Sequence, residues 1–129
     1  MRHLSLVIAA LLAGCATSPK GLERPEYASA FTVDQGYQLT LKQIVAAIEE
    51  CRPVQLLPVG QLINDVQNYS DLKEARIVQG ASGVGTQIYK VIVLKEVEQA
   101  TTVTLYTRMR AGEELEKLKK WAMGSTDCR

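Results

Sequence analysis

Apolar residues recur at helical spacing after position 40 of the chain. They fall three or four positions apart, as on one helix face: Leu41, Ile44, Val45, Ile48 and Cys51. Thr40 and Gln43 are spaced as a capping box, in which each side chain satisfies a free backbone N–H of the first turn. Pro53 disfavours helical geometry at the residue before it. The pattern therefore predicts a helix that begins at Thr40 and ends before Pro53.

A second helical stripe occupies roughly Gly112 to Met123. Its apolar residues, which we expect to face a core, are Leu115, Leu118, Trp121 and Ala122. Glutamates precede lysines along this segment, so acidic side chains lie at the positive N-terminal end of the helix dipole and basic side chains at its negative C-terminal end. They are Glu113, Glu114 and Glu116, then Lys117, Lys119 and Lys120. Gly124 favours termination of the helix directly afterwards.

Two strands are predicted between these helices. Thr86–Glu98 has apolar residues on both faces, which is typical of a strand near the centre of a sheet: Ile88, Ile92 and Leu94 against Tyr89, Val91 and Val93. Thr101–Met109 alternates, with Val103, Leu105 and Met109 on one side and Thr102, Thr104, Tyr106 and Arg108 on the other. Alternation indicates one buried and one solvated face, so the two strands are expected to form an antiparallel hairpin.

The middle of the chain has a weaker pattern. Residues 54–59 form a short apolar run that predicts a strand, which Pro58 restricts to an edge. The spacing of Leu62, Ile63, Val66 and Tyr69 predicts one or two helical turns, and Ala75–Gln79 predicts another strand. Together the elements predict an α+β domain, in which a small antiparallel sheet of three to four strands carries an N-terminal and a C-terminal helix on one face.

The first 14 residues have the three parts of an export signal. Arg2 supplies a positive end, Leu4–Ala13 an apolar stretch, and Ala13 and Gly14 the small residues of a cleavage site. Ten apolar residues in a helix measure about 15 Å, half of a bilayer core. We therefore expect a segment that is cut and removed.

The run Leu12-Ala13-Gly14-Cys15 resembles the lipobox of bacterial lipoproteins. The resemblance implies that the Cys15 thiol receives a diacylglycerol, that cleavage leaves Cys15 as the first residue, and that its amino group gains a fatty acid. Several acyl chains, at ~0.8 kcal/mol per buried methylene, make such an anchor effectively permanent. The alternative is an ordinary secretory signal with a chance cysteine after its cleavage site.

The residue after the cysteine bears on location. Lipoproteins retained at the inner membrane typically have aspartate directly after the lipidated cysteine, and this chain has Ala16 there. In this respect the chain resembles lipoproteins of the outer membrane, which implies a location on the periplasmic face of that membrane. Residues 15–36 contain prolines and glycines without periodicity, so we interpret them as a lipidated flexible tether that holds a single domain, residues 37–129, clear of the headgroups. Phe31 and Val33 could instead form a short edge strand.

Two cysteines remain once Cys15 is acylated. Cys51 closes the first predicted helix and Cys128 follows the last one, and an even pair in an oxidising compartment predicts a disulfide between them. Two free thiols are the alternative. We expect neither a metal site nor a cofactor, because two thiols are too few ligands and the mature chain has no histidine.

The residues that remain argue against catalysis. His3 is the only histidine and leaves with the signal, which excludes histidine-dependent triads and metal centres. A pair of carboxylates could still cleave glycosidic bonds. Glu49 and Glu50, however, point in different directions on the solvent-facing side of their helix. The glutamates of the last helix are explained by their favourable interaction with the helix dipole: Glu113, Glu114 and Glu116. Residues 80–85, GASGVG, lack the lysine of a phosphate loop and precede a strand, so we expect a loop between strands.

The net charge and the aromatic content of the chain argue against nucleic acid as a partner. The full chain has 15 basic and 14 acidic residues, and removal of Arg2 with the signal leaves 14 of each. A balanced chain with one tryptophan, one phenylalanine and five tyrosines offers neither a basic field nor a stacking surface for nucleic acid. Arg108 and Arg110 with Tyr106 could form a small binding spot, but a solvated strand face is the preferred interpretation.

The expected function is therefore a membrane-anchored, non-enzymatic binding or scaffold module with an envelope protein as partner. The tail Trp121-x-x-Gly124-x-x-x-Cys128 is similar to that of small proteobacterial lipoproteins of uncharacterised function. Two alternatives remain: a carrier of a small ligand or lipid, and an inhibitor or immunity factor directed at a cell-wall enzyme.

Overall fold

A computed structural model describes residues 18–52, 60–83 and 85–129 of the chain. The described helices are α1 (Pro19–Leu22), α2 (Tyr37–Glu50) and α3 (Ala111–Ala122), with a 3₁₀ turn at Pro25–Tyr27. The strands are β1 (Ala28–Val33), β2 (Gln61–Tyr69), β3 (Glu74–Gly83), β4 (Gly85–Val97) and β5 (Ala100–Thr107). They form one antiparallel sheet in the order β1-β5-β4-β3-β2.

The α+β class is confirmed, with five strands in place of three to four. β3, β4, β5 and α3 lie where the sequence predicts them, and the strand predicted over residues 54–59 lies outside the described residues. The helical turns predicted from Leu62 to Tyr69 are wrong, because this segment is β2 and pairs with β3 along its whole length. The position of β2 at the edge of the sheet explains the error. Much of β2 is exposed, so its sequence does not need the regular alternation of apolar and polar residues by which a half-buried strand is recognised.

The N-terminal segment also differs from the expected tether. α1, the 3₁₀ turn and β1 occupy residues 19–33, and β1 pairs with β5 from Ala28↔Tyr106 to Val33↔Thr101. The edge strand that Phe31 and Val33 allowed is therefore confirmed, and the described domain begins at α1 instead of residue 37. Pro19 and Pro25 each start a short helical element, because a fixed φ and a missing N–H suit the first helical position. Cys15 lies outside the described residues.

The two faces of the sheet carry different layers. The helix face, defined here as the side that carries α2 and α3, holds the larger core. Its largest fully buried side chains are Ile44, Ile77, Ile92, Leu94, Leu105 and Val103. The opposite α1 face carries α1, whose Leu22 is 1% exposed and packs with Val78, Ile88 and Val91.

A bulge between β3 and β4 changes the predicted faces of β4. Gln79 pairs with Lys90 but Gly80 pairs with Ile88, so Tyr89 is the additional residue. Ile88 consequently joins Val91 on the α1 face instead of Ile92 and Leu94 on the helix face. The bulge also turns Tyr89 outward, where it is 45% exposed.

α2 begins earlier than predicted, and the capping box of Thr40 with Gln43 does not form. Glu96 of β4 performs the cap instead: its Oε1 accepts a hydrogen bond of 2.9 Å from the Tyr37 backbone N–H. Thr40 lies inside the helix, where its hydroxyl donates to the carbonyl of Gly36. A carboxylate at this end of a helix also interacts favourably with the helix dipole.

The end of α3 follows the sequence closely. Gly124 has φ +99°, its N–H bonds the carbonyl of Trp121, and the Ser125 N–H bonds that of Lys120. This pair of bonds is a Schellman motif, which glycine enables. Among the described residues, no helix is sufficiently long and apolar to cross a membrane.

Candidate functional site

A half-open groove lies on the helix face, between the end of α2, the outer strands β2 and β3, and α3. We call it the edge groove; its cavity volume is about 250 Å³. The residues that line it are Ile48, Cys51, Arg52, Leu62, Ile63, Asn64, Gln79, Gly80, Tyr89, Lys90, Lys117, Trp121 and Cys128. It forms because α2 and α3 cover β3, β4 and β5 but leave β2 at the border of the sheet.

The disulfide predicted from the sequence is confirmed and borders this groove. The Sγ atoms of Cys51 and Cys128 are 2.12 Å apart and the Cα atoms 5.4 Å apart, across 77 positions of sequence. The bond attaches the C-terminal tail to the end of α2. The tail also contacts α3, because the Trp121 indole donates a hydrogen bond of 2.6 Å to the carbonyl of Asp127. Trp121 is a buried core residue, as predicted.

Lys90 and Lys117 form the inner rim of the groove, and Glu114 contacts both of them. Glu114 Oε2 lies 2.5 Å from Lys90 Nζ, and its Oε1 lies 3.3 Å from Lys117 Nζ. Burial raises the pKa of Glu114, but the hydrogen bond and charge of Lys90, assisted by Lys117, outweigh it and leave the pKa below its usual value of 4.5. Lys117 Nζ also lies 5.2 Å from the centre of the Trp121 ring. The single carboxylate offsets one of the two ammonium charges, so the cluster keeps a net charge of +1.

Leu62 and Asn64 of β2 lie on the outer rim of the groove, and Val66 continues the same strand face beyond it. Leu62 and Val66 of β2 oppose Ala81 and Ile77 of β3, which places both side chains on the helix face. They are 40% and 39% exposed, although Ile77 beside them is fully buried. β2 is also the last strand of the sheet, so one row of its backbone groups has no neighbouring strand in the described parts of the chain. Exposed apolar side chains next to an open edge suit an extended polypeptide.

A second cleft continues from the inner rim. Tyr89 and Lys90 also line this space of about 440 Å³, together with Thr107, Met109, Arg110 and Glu114. Met109, predicted to face the core, lies beyond the end of β5 and is 68% exposed. Tyr89 stands between the two clefts, so the bulge that exposes it shapes both.

The other candidate residues do not assemble into a site. Glu49 and Glu50 are exposed, and Glu49 lies 3.9 Å from Arg52. Glu113 is exposed, and Glu116 pairs with Lys119 at 3.0 Å. Arg108 lies over the Tyr27 ring at 5.0 Å, whereas Arg110 is the N-cap residue of α3 and its side chain makes no capping hydrogen bond.

The loop expected at the glycine-rich segment 80–85 is wrong for its described residues, because residues 80–83 are the end of β3 and Gly85 is the first residue of β4. Val84 lies outside the described residues. Gly80 has a specific role at the bulge: a Cβ at this position would lie 2.1 Å from the carbonyl oxygen of Gln87. The glycine permits two backbones to approach closely beneath the edge groove.

Sequence reasoning missed Gln35, which joins three elements. Its Nε2, which has two hydrogens to donate, lies within hydrogen-bond distance of three acceptors: Thr40 Oγ1 at 3.0 Å, Gln43 Oε1 at 2.9 Å and the carbonyl of Ala122 at 2.7 Å. Its own carbonyl accepts a bond from the Thr101 hydroxyl. A lone glutamine in a loop carries no pattern, so only tertiary structure could identify this role.

Comparisons with known proteins add no family. No protein-family model matches the chain, and no curated protein matches it. Within residues 18–52, 60–83 and 85–129, no group of three or more histidine, cysteine or acidic side chains is placed to hold a metal ion.

Proposed function

We propose that the chain is a lipid-anchored module of the bacterial cell envelope that binds a protein partner at the edge groove and catalyses no reaction. The observation that carries the proposal is the border of the sheet at β2. Leu62 and Val66 extend the apolar surface of the core to an edge strand that no described element covers. Exposed apolar rims beside open backbone edges are sites of strand addition.

The partner of this proposal presents an extended segment that adds to the sheet as a sixth strand. Backbone hydrogen bonds to β2 would supply much of the affinity, and apolar side chains at alternate positions would enter the groove beside Leu62 and Val66. Because Glu114 offsets one of the two charges of Lys90 and Lys117, the groove would accept apolar side chains with at most one acidic side chain among them.

The location in this proposal comes from the sequence. Cys15 carries the lipid, and Ala16 directs the protein to the periplasmic face of the outer membrane. The absence of histidine from the mature chain supports a binding role over catalysis.

Site-specific photocrosslinking in living cells tests the binding site. A benzophenone amino acid at Val66 should give one discrete product with a second protein, and the same amino acid at Thr32 should not. Thr32 is exposed on β1, at the opposite border of the sheet, and Leu39, exposed on α2, is a second control position on the same side of the sheet as the groove. The Leu62→Lys variant should abolish the product formed from position 66, because a charge at the rim opposes strand addition.

Leu39→Lys is the matched control for that variant. Leu39 is similarly exposed, at 48%, but lies at the start of α2 away from the groove. The proposal is contradicted if position 66 crosslinks no more than position 32, if the product is a bond within the same chain, or if both lysine variants act equally. A cell-wall hydrolase as the partner would favour the inhibitor or immunity role.

A small-ligand carrier is the second candidate. The apolar side chains of Ile48 and Trp121 in the groove favour it, but about 250 Å³ is slightly below the ~300–1,000 Å³ of most ligand sites. Native mass spectrometry of the protein extracted from membranes distinguishes the two: a bound small molecule that Leu62→Lys displaces would favour the carrier.

A further inference from the structure

The N-terminal segment leaves the domain close to the proposed lipid. Ser18 is the N-cap of α1 and its Oγ accepts a hydrogen bond of 3.2 Å from the Gly21 N–H. Cys15 precedes Ser18 by three positions. Three extended residues span at most about 10 Å. A lipid on Cys15 therefore holds Ser18 within about 10 Å of the membrane interface.

α1 is fixed to one face of the sheet. Leu22 is buried against Val78 and Val91, and Glu23 forms an ion pair with Arg76 of β3. Exposing a fully buried leucine costs about 2 kcal/mol, so detachment of α1 to lengthen the connection is unfavourable. The short connection and the docked helix together constrain how the domain lies on the membrane.

We infer that the domain rests with its α1 face on the lipid headgroups and with its helix face directed away from the membrane. This inference rests on the lipid anchor of the proposed function. The exposed side chains of the α1 face that lie beside β1 and β5 are small or hydroxylated: Ala28, Ala30, Thr32 and Thr102. Larger exposed side chains border this patch, namely Arg108 after β5 and Lys95 and Val97 of β4.

Charge on the α1 face is nearly balanced. Arg24 pairs with Glu26, Arg76 with Glu23, and Lys95 with Glu74. Lys20 and Arg108 oppose Asp65 in the remainder of this face. The lipid tether, which keeps the face at a high local concentration of headgroups, is therefore the main attraction, and the orientation should persist in zwitterionic membranes at high salt.

The orientation places the edge groove on the side of the domain that faces the periplasm. α1 and the helices α2 and α3 are on opposite sides of the sheet, and each packed layer is about 10 Å thick. The groove would then lie roughly 20 Å above α1, free of lipid and open to a soluble or membrane-attached partner.

Energy transfer from tryptophan to a dansyl-labelled headgroup tests the orientation. The lipidated full-length protein is reconstituted in phosphatidylcholine and phosphatidylethanolamine vesicles. Trp121, the only native tryptophan, is a common background for two variants, Lys20→Trp on α1 and Leu39→Trp on α2. Both positions are exposed. The energy transfer above the Trp121 background should be several-fold greater for Lys20→Trp than for Leu39→Trp.

A flexible insertion provides the matched control. About 20 glycine and serine residues inserted between Ala16 and Thr17 should release the domain and remove the difference between the two variants. Equal transfer in the acylated protein without the insertion, or greater transfer from Leu39→Trp, would overturn the orientation and leave the anchor intact. An intact mass without acyl chains would overturn the anchor and the orientation together.

Discussion

The carboxylate of Glu23, at the end of α1, forms an ion pair with the guanidinium of Arg76 on β3. The pair lies beside buried Leu22, so a polar and an apolar contact attach the same short segment to the sheet. A segment with two prolines and two charged pairs thus belongs to the folded domain, although its sequence is typical of a linker.

Leu22→Ala should lower the free energy of unfolding by about 2–3 kcal/mol, because it removes a buried side chain and leaves a cavity under α1. Urea denaturation of a non-lipidated Cys15→Ser form measures this. Leu39→Ala, which truncates an exposed leucine, should change stability by less than ~0.5 kcal/mol. Equal effects of the two substitutions would contradict the docking of α1.

Gly80→Ala and Gly112→Ala should have opposite effects. At Gly80 a Cβ would lie 2.1 Å from the Gln87 carbonyl oxygen, so the β3–β4 pairing must distort, at a cost of at least ~2 kcal/mol. At Gly112, in the first turn of α3, a Cβ meets nothing within 4 Å, and alanine should stabilise by up to ~1 kcal/mol. Thermal unfolding followed by circular dichroism compares the two; a Gly80→Ala protein as stable as the parent would argue against the bulge.

Reduction of the Cys51–Cys128 bond should lower stability by about 4 kcal/mol, because the bond closes a loop across 77 positions and restricts the unfolded chain. Urea curves with and without reductant measure the change. Thiol labelling of the unreduced, acylated protein should modify neither cysteine. Labelling of both under these conditions would show that the disulfide does not form in cells.

Glu114→Gln should make the protein less stable by about 1 kcal/mol at pH 7, because Lys90 and Lys117 lose a partly buried partner. The folded state lowers the pKa of Glu114, so its contribution is complete above the usual 4.5 and disappears as pH falls through the folded pKa. The difference between parent and variant should therefore shrink below about pH 4. Unfolding curves from pH 7 to pH 3 test this, with exposed Glu113→Gln as control, and a constant difference would contradict it.

The parts of the fold that burial dictates were predictable from the sequence. α2, β4, β5 and α3 each bury a face, and buried faces impose a period on the chain. Gly124 and the disulfide pair were predictable for local reasons, one from backbone geometry and the other from the count of cysteines.

The borders of the sheet were not predictable in the same way. β2 leaves Leu62 and Val66 partly exposed, and β1 alternates small alanines with side chains of mixed polarity, so neither strand carries a strong period. The cap by Glu96 and the bridge by Gln35 depend on residues distant in sequence. The edge groove consists of such borders, so the candidate site required the structure.

The anchor on Cys15 is the premise of both the proposed location and the proposed orientation. Mass spectrometry of the N-terminal peptide, released from protein purified out of bacterial membranes, measures it directly. We expect a peptide that begins at Cys15 and carries a diacylglycerol and one further fatty acid. A peptide that begins at another residue, or that carries no acyl chain, would contradict it.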